Sequence, residues 1–437
     1  MKHYLGQEDC TCGKQHRCGV KEIITGSGAI NRLPEVLASL QVKKAFLLAD
    51  CNTWQAAGAQ AQQILQNAGI SNSSYVFPQK SLEPDEHAVG AACMHFDTGC
   101  DAVVAVGSGV INDIGKILSN QTGCAYVIVG TAPSMDGYAS ATSSMSMDGV
   151  KVSLNSRCAD VIIGDTDILK EAPMHMLSSG LGDMLAKYVS ITEWRIAHLI
   201  TGEYYCEAVA NLIRQALKKC VDNAQGLLAR EPKAVEAVFE GLVIGGIAMA
   251  YAGVSRPASG VEHYFSHVWD MRGLEFGLPV ELHGIQCAVG TLLSVRLYER
   301  LRQERPDWER AKNWVDQFSY TDWSRQLEAF LGSSAQTMIR LEEKEGKYDP
   351  KKHAARFRVI EDNWDAIVQI MNEELPDAAQ LEQLLRTVGI DPDPAAMGID
   401  RPTLQQSFRA TKDIRDKYVL SRLAWDLGLL EPLAQTL

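Results

Sequence analysis

Low-complexity tracts, long apolar runs and any excess of positive charge are all missing from this 437-residue chain. Its 42 basic against 54 acidic residues leave a net charge of -12, which argues against a nucleic-acid backbone or an anionic membrane surface as partner. A phosphorylated small molecule stays possible if a local basic pocket works against that field. The longest apolar stretch, Gly241 to Val254, is interrupted by Gly245 and Gly246. It falls below the roughly 20 residues that cross a bilayer, so no membrane insertion is expected. Met1-Lys2-His3-Tyr4 lacks the apolar core of a secretion signal. Eleven cysteines then read as reduced thiols of a cytoplasmic protein, and their odd number excludes a fully paired intramolecular set.

What is present is ordinary soluble composition, 46% hydrophobic and 22% charged, on a chain long enough for two or three domains. The first part alternates buried-strand runs with helical segments. Ala45 to Ala49 ends in Asp50, a helix spans about Thr53 to Ala68, and a short strand covers Tyr75-Val76-Phe77. A helix follows Pro84. The strands Ala102 to Val106 and Tyr126 to Val129 flank a helix beginning at Val110. Continuous apolar strands joined by helices predict a parallel, Rossmann-like α/β sheet over residues 1–172, covered on both faces. Such sheets bind ligands at the carboxyl ends of their strands. From Pro173 the pattern turns helical, with helix-period apolar spacing over Glu203 to Ala224, Ala234 to Ala252 and Glu281 to Leu301. Residues 173–437 are therefore expected to form an all-helical domain that carries metal and substrate. Within it, a charged helical insertion over about 302–363 packs through Trp308, Trp314 and Trp323, and Thr403 to Leu427 is a further amphipathic helical region.

Gly107-Ser108-Gly109 follows a buried strand and opens a helix. Glycines let backbone N–H groups approach a phosphate, and the helix N-terminus adds a favourable dipole. The third glycine of the usual dinucleotide fingerprint is absent and the strand is not the first, so a plain strand-to-helix turn fits the tripeptide as well. Gly26-Ser27-Gly28 looks alike and is expected only to turn the chain. Asp113 and Lys116 lie on the first turns of the helix after Gly109. Asp50 is placed to accept from an adenosine ribose, favouring NAD over NADP, or alternatively to cap a helix.

Four further residues are candidates for metal chemistry. Asp183, in Ser178-Ser179-Gly180-Leu181-Gly182-Asp183, is expected where a helix begins, either as a ligand or as a carboxylate on the helix dipole. His263 and His267 fall at i and i+4 on one helical face, and His283 follows Pro279 near a helix start. One carboxylate, two imidazoles and an open position describe a catalytic site for Zn2+, Ni2+ or Fe2+. A second candidate metal group, Cys10, Cys12, His16 and Cys18, has tighter spacing than common zinc knuckles and reads more readily as a set of surface thiols.

With these motifs in place the chain resembles the superfamily of iron-containing alcohol dehydrogenase, glycerol dehydrogenase and dehydroquinate synthase. Within that group it is most similar to the bacterial sn-glycerol-1-phosphate dehydrogenase family. The long matching blocks are Thr131-Ala132-Pro133-Ser134-Met135-Asp136-Gly137-Tyr138-Ala139-Ser140, Gly180 to Lys187, Thr201 to Cys206, and Ser255 to His263. Gly130 departs from the family by standing where a proline is frequent, and the stretch Val152 to Arg157 is atypical. The resemblance implies metal ligands Asp183, His263 and His283. It implies a cofactor site of Gly107, Ser108, Gly109, Asp113, Lys116, Thr131, Ser134 and Ser140, with Asp136 hydrogen-bonded to a substrate hydroxyl.

The implied reaction is NAD(P)H-dependent, metal-assisted reduction of dihydroxyacetone phosphate to sn-glycerol 1-phosphate by a homodimer. A metal-bound water or His267, one turn from His263, is the candidate proton relay, and Lys151 and Arg256 are the candidate phosphate cations, chosen by charge and position. Glycerol dehydrogenase, or a dehydroquinate-synthase-like lyase using the same cofactor and metal, are the rival readings.

Overall fold

The computed structural model describes the backbone of residues 6–7, 10–147, 150–304 and 306–437. Its elements group into two compact units, each discontinuous in sequence: Met1–Met184 with Ala208–Val254, and Leu185–Glu207 with Ser255–Leu437.

In the first unit a two-stranded ribbon, β1 (Gly6–Gln7) and β2 (His16–Arg17), precedes the sheet. The sheet is built from β3 (Glu22–Gly26), β4 (Lys44–Asp50), β5 (Ser71–Phe77), β6 (Ala102–Gly107), β7 (Ala125–Gly130) and, after the hairpin β8 (Thr142–Met147) and β9 (Val150–Asn155), β10 (Val161–Asp165). Its order is β3-β10-β7-β6-β4-β5 and every pairing is parallel. The apolar runs that predicted β4, β6 and β7 are buried throughout their middles, and each fully buried Val, Leu or Ile contributes about 1.5–3 kcal/mol. β3, β10 and the β8–β9 hairpin were not expected. β3 and β8 are short and mixed in polarity, so their pairing is decided by neighbours distant in sequence.

From β4 the chain moves outward to β5, then crosses back to place β6 on the other side of β4. That reversal is a switch point, where the strand ends splay and leave a crevice. Asp50 ends β4 and Gly107 ends β6, and the register that pairs Leu48 with Ala105 brings these two ends side by side.

A break near residue 172 follows the change from alternating to helical pattern, but packing divides the chain elsewhere. The helices Met174–Leu185 (up to Met184), Glu207–Asn223 (from Ala208) and Pro232–Ala252 belong with the sheet. Phe239 shows why: its ring fills the space above Gly130 and Gly164, where an added Cβ would lie 2.9 and 2.1 Å from ring carbons. A glycine at position 130 thus has a packing reason. The helix Pro232–Ala252 has 21 residues, longer than the apolar run suggested, and its most apolar stretch is 78% buried in the protein. Gly26 and Gly28 turn the chain in left-handed conformations, and Asp165 accepts from the N–H groups of Gly28 and Ile30.

The second unit is helical. The insertion contributes helices Trp308–Trp314, Tyr320–Leu331, Ala335–Glu345 and Pro350–Asp362. Trp308 meets Phe357 and Trp364 edge-on, and Trp323 packs on Phe318 and Tyr348 while its Nε1 donates to Asp413. The expected C-terminal helical region is split into Arg401–Thr411 and Leu420–Asp426.

Candidate functional site

The sheet unit holds one group of candidate residues. Ser108 stands at the N-cap of the helix Gly109–Thr122, whose first N–H groups have no partners within the helix and can meet an anion. Gly107 is required by packing, because a Cβ there would sit 2.5 Å from the Ile111 side chain. At Gly109 the nearest atom to such a Cβ is Met135 Cγ, at 3.4 Å. Hydroxyls surround the turn: Ser108 Oγ and Ser134 Oγ lie 2.6 Å apart, and Tyr138 donates to the Ala132 carbonyl at 2.6 Å. Thr131 is buried and its N–H donates to the Gly107 carbonyl.

Lys116 is fully buried and donates to Asp113 Oδ1, Ser140 Oγ and the Thr142 carbonyl at 3.1, 3.1 and 2.9 Å. It locks the helix to the loop that carries Asp136. Asn112, which the sequence did not single out, does the same by donating to the Gly137 carbonyl and accepting from Tyr126. Asp50 uses Oδ1 to accept from the N–H groups of Asn52 and Thr53, both at 2.8 Å, in a capping box.

Asp183 lies in the last turn of the helix Met174–Leu185, not at a helix start. Pro173 ends the preceding segment, so the helix begins about two turns earlier than the glycines suggest. Gly180 and Gly182 are helix-interior residues, and at Gly180 an added Cβ would meet the Pro133 carbonyl oxygen at 1.7 Å. A negative charge in a last turn opposes the helix dipole, which removes the capping explanation for this carboxylate. Asp183 is fully buried, and its Oδ2 accepts from the Asp136 N–H at 2.9 Å.

The helical unit holds the second group. The helix Val261–Phe276 carries His263 and His267, and the helix His283–Gln303 opens with His283. The rings of His263 and His283 are 5.1 Å apart, and those of His267 and His283 are 6.2 Å apart. His263 Nδ1 lies 2.8 Å from Glu262 Oε1, so Nδ1–H donates and Nε2 carries the lone pair. Glu262 is fully buried, also accepts from the Gly260 N–H, and its Oε2 has no hydrogen-bond partner among the described residues. His283 Nδ1 is 2.9 Å from Ser266 Oγ.

Cys287 joins the pair. Its Sγ lies 3.5 Å from His283 Nε2, and ligand atoms of His263, His283 and Cys287 all fall within 4.8 Å of one another. Burial pulls its thiol pKa up, but the two imidazoles outweigh that and hold it below the usual thiol value. The signal was present in sequence, since Cys287 follows His283 by one helical turn. His267 is held well below the ordinary imidazole range by desolvation and then by Arg415 and the neighbouring histidines, which keeps it neutral at pH 7.

Behind Glu262 stands another residue the sequence left unmarked. Glu193 accepts from the N–H groups of Val261 and Leu420, and its carboxyl is pushed up to about 8 by burial and by the charge of Glu262. Of the two candidate phosphate cations, Arg256 is buried and already committed. Its guanidinium forms a two-pronged pair with Glu203 at 2.6 and 2.5 Å and donates to the Tyr418 carbonyl. An anion would have to break that pair, so Arg256 is a structural cation. Lys151 lies on β9, and its side chain is outside the described residues. Two further cations act on residues of the histidine helix, Arg415 on His267 and Lys417 on Tyr264. Lys417 donates to the Ser259 carbonyl at 2.8 Å and lies over the Tyr264 ring, and burial followed by Arg256 lowers its pKa to about 7.

The family model for iron-containing alcohol dehydrogenase matches residues 24–173. A glycerol-1-phosphate dehydrogenase [NAD(P)+] of Halalkalibacterium halodurans is 33% identical over 308 residues, which is 68% of this chain and 77% of that protein. The chain belongs to the glycerol-1-phosphate dehydrogenase family. The family extends to the enzyme of the same name from Methanosarcina acetivorans, 31% identical over 66% of this chain and 79% of its relative. Among solved structures, a probable glycerol dehydrogenase from Sinorhizobium meliloti 1021 aligns over 97% of this chain and 99% of its own with a TM-score of 0.60. A 1,3-propanediol oxidoreductase aligns with a TM-score of 0.61 over 95% and 98%. At 18% and 15% identity these two share the fold, a parallel Rossmann-like sheet followed by a helical region.

Proposed function

We propose that this chain catalyses the reversible, NAD(P)H-dependent reduction of dihydroxyacetone phosphate to sn-glycerol 1-phosphate, with one divalent ion, Zn2+ or Ni2+, per chain. The observation that carries the reading is the imidazole pair whose first member is oriented by a buried carboxylate, in a chain whose relatives bear that enzyme's name. Asp183, His263 and His283 are the proposed ligands. Their donor set suits such an ion, and the tautomer enforced by Glu262 suits His263 to it. The helix N-terminus at Gly107-Ser108-Gly109, with Asp113, Lys116, Thr131, Ser134 and Ser140, is the proposed cofactor site. Asp50, at the neighbouring strand end, disfavours a 2′-phosphate and so favours NAD. When bound, the ion polarises a carbonyl and the nicotinamide supplies hydride.

The chain's own residues do the rest. Glu262 fixes the His263 ring. Asp136 hydrogen-bonds a substrate hydroxyl. His267, neutral at pH 7, takes a proton from the alcohol during oxidation and returns it during reduction. Arg415 and Lys417 take the role first given to Arg256 and hold the substrate phosphate, and Lys151 stays a proposed cation for the same group. A dianion beside Lys417 offsets the desolvation of its ammonium. A cytoplasmic homodimer completes the reading, supported by the family and by the cysteine content.

The test is NADH oxidation by metal-stripped protein resupplied with Zn2+ or Ni2+. Metal-dependent turnover of dihydroxyacetone phosphate well above dihydroxyacetone, with KM for the phosphate ester raised in K417A, supports the reading, and a chiral product assay fixes the enantiomer. Equal use of both ketones, unchanged in K417A, moves it to glycerol dehydrogenase. Bound NAD without net NADH consumption moves it to a lyase.

A further inference from the structure

We propose a second metal site, a zinc-binding Cys2His group of Cys10, Cys12 and His16 that staples the N-terminal segment to the sheet unit. Ligand atoms of all three lie within 4.8 Å of one another. Cys12 Sγ is 3.4 Å from His16 Nε2, and two ligands on a tetrahedral zinc, at about 2.3 Å for sulfur and 2.0–2.1 Å for nitrogen, stand roughly 3.5 Å apart. An S–H···N hydrogen bond has a similar length, so the rest of the histidine's surroundings decide the matter. His16 is fully buried, and its Nδ1 lies 3.1 Å from the Tyr251 carbonyl. A carbonyl only accepts, so Nδ1 carries the hydrogen and Nε2 turns its lone pair toward the thiols. That is the arrangement of a metal-bound histidine held by an outer partner. Stacking on the Tyr251 ring at 5.2 Å fixes the ring plane.

The backbone is shaped to match. Gly13, in the left-handed region, donates its N–H to the Cys10 carbonyl and closes a turn that brings both thiols to one side. The β1–β2 ribbon then sets His16 opposite Gln7. Cys18, the fourth member suggested by spacing, is engaged elsewhere. Its thiol points to the Val20 carbonyl, and burial and Cys158 raise its pKa. The proposed role is mechanical: the ion ties the Cys10–His16 loop to the end of the helix Pro232–Ala252 through Tyr251.

The experiment uses the full-length enzyme and Zn2+ alone. Under reductant, alkylation of each cysteine is mapped by mass spectrometry, with zinc and with chelator, and zinc per chain is counted in wild type and C10S/C12S. The proposal expects zinc to protect Cys10 and Cys12 by at least about tenfold, and the variant to bind one zinc fewer per chain while keeping turnover. X-ray absorption of the wild-type zinc protein should show a sulfur shell near 2.3 Å that weakens in the variant. Equal alkylation of Cys10 and Cys12 with and without zinc overturns the proposal, and because that measurement needs no substitution it stands even if the variant fails to fold.

Discussion

Replacing Gly180 with alanine should damage catalysis more than stability, because the added methyl strikes backbone and not a movable side chain. Its Cβ would lie 1.7 Å from the Pro133 oxygen and 2.7 Å from its carbon. An ordinary carbon–oxygen contact needs about 3.3 Å, so the helix Met174–Leu185 or the Pro133 loop must move by roughly 1.6 Å. Overpacking of this kind costs about 3 kcal/mol, the upper end of the usual range, since no rotamer change relieves it. For a unit of this size that lowers the melting temperature by roughly 6–12 °C. The same movement stretches the 2.9 Å bond from the Asp136 N–H to Asp183 past hydrogen-bonding distance. It displaces a proposed metal ligand and a proposed substrate contact together, and a misplacement of about 1 Å can cost ~100-fold in kcat. Calorimetry and NADH turnover on wild type, G180A and G90A would decide. Gly90 has no described residue within 4 Å of its added Cβ and sits in the helix Glu86–His95, so G90A should gain about 0.4–1 kcal/mol. A G180A enzyme with wild-type melting and kcat within twofold of wild type would refute the reasoning.

Other outcomes follow from neighbouring contacts. Gly164→Ala places a methyl 2.1 Å from the Phe239 ring, a side chain that can be trimmed. G164A should therefore cost about 2 kcal/mol, and Phe239→Leu should recover 1 kcal/mol or more of it in a double-mutant cycle read by denaturant unfolding. Glu262→Gln keeps the shape beside His263 but removes the carboxylate that orients its ring, so zinc affinity measured by chelator competition should fall about 10–100-fold. Glu193 has a folded pKa of about 8, above its unfolded value of 4.5, so the native state holds the extra proton. Its contribution is fully present below about pH 4.5 and is lost as pH rises toward 8. In chelator, wild type should lose stability relative to Glu193→Gln over that window. Parallel pH profiles for the two proteins would show that Glu193 is not the group responsible.

The sheet was legible wherever a strand is buried on both faces, because β4, β6 and β7 then read as unbroken apolar runs. The glycine turn was legible because close packing against Ile111 and an anion-accepting helix start both demand residues of that kind. Asp183 and His263 were legible in long matching blocks, His267 by its helical spacing from His263, and His283 by its place near a helix start. Only tertiary structure decided what each polar group is free to do. Arg256 and Lys417 carry the same formal charge in sequence, yet Glu203 neutralises one while burial leaves the other near its titration point. Cys18 and Cys12 are equally cysteine, but only Cys12 faces the imidazole of His16. Asp183 belongs to a helix end and not a helix start because the helix begins directly after Pro173, and the glycine at position 180 answers to the Pro133 carbonyl, some fifty residues away in sequence. Periodicity and residue type are local properties and survive in the sequence. Desolvation, partner choice and close approach are set by atoms distant along the chain, so they appear only once it folds.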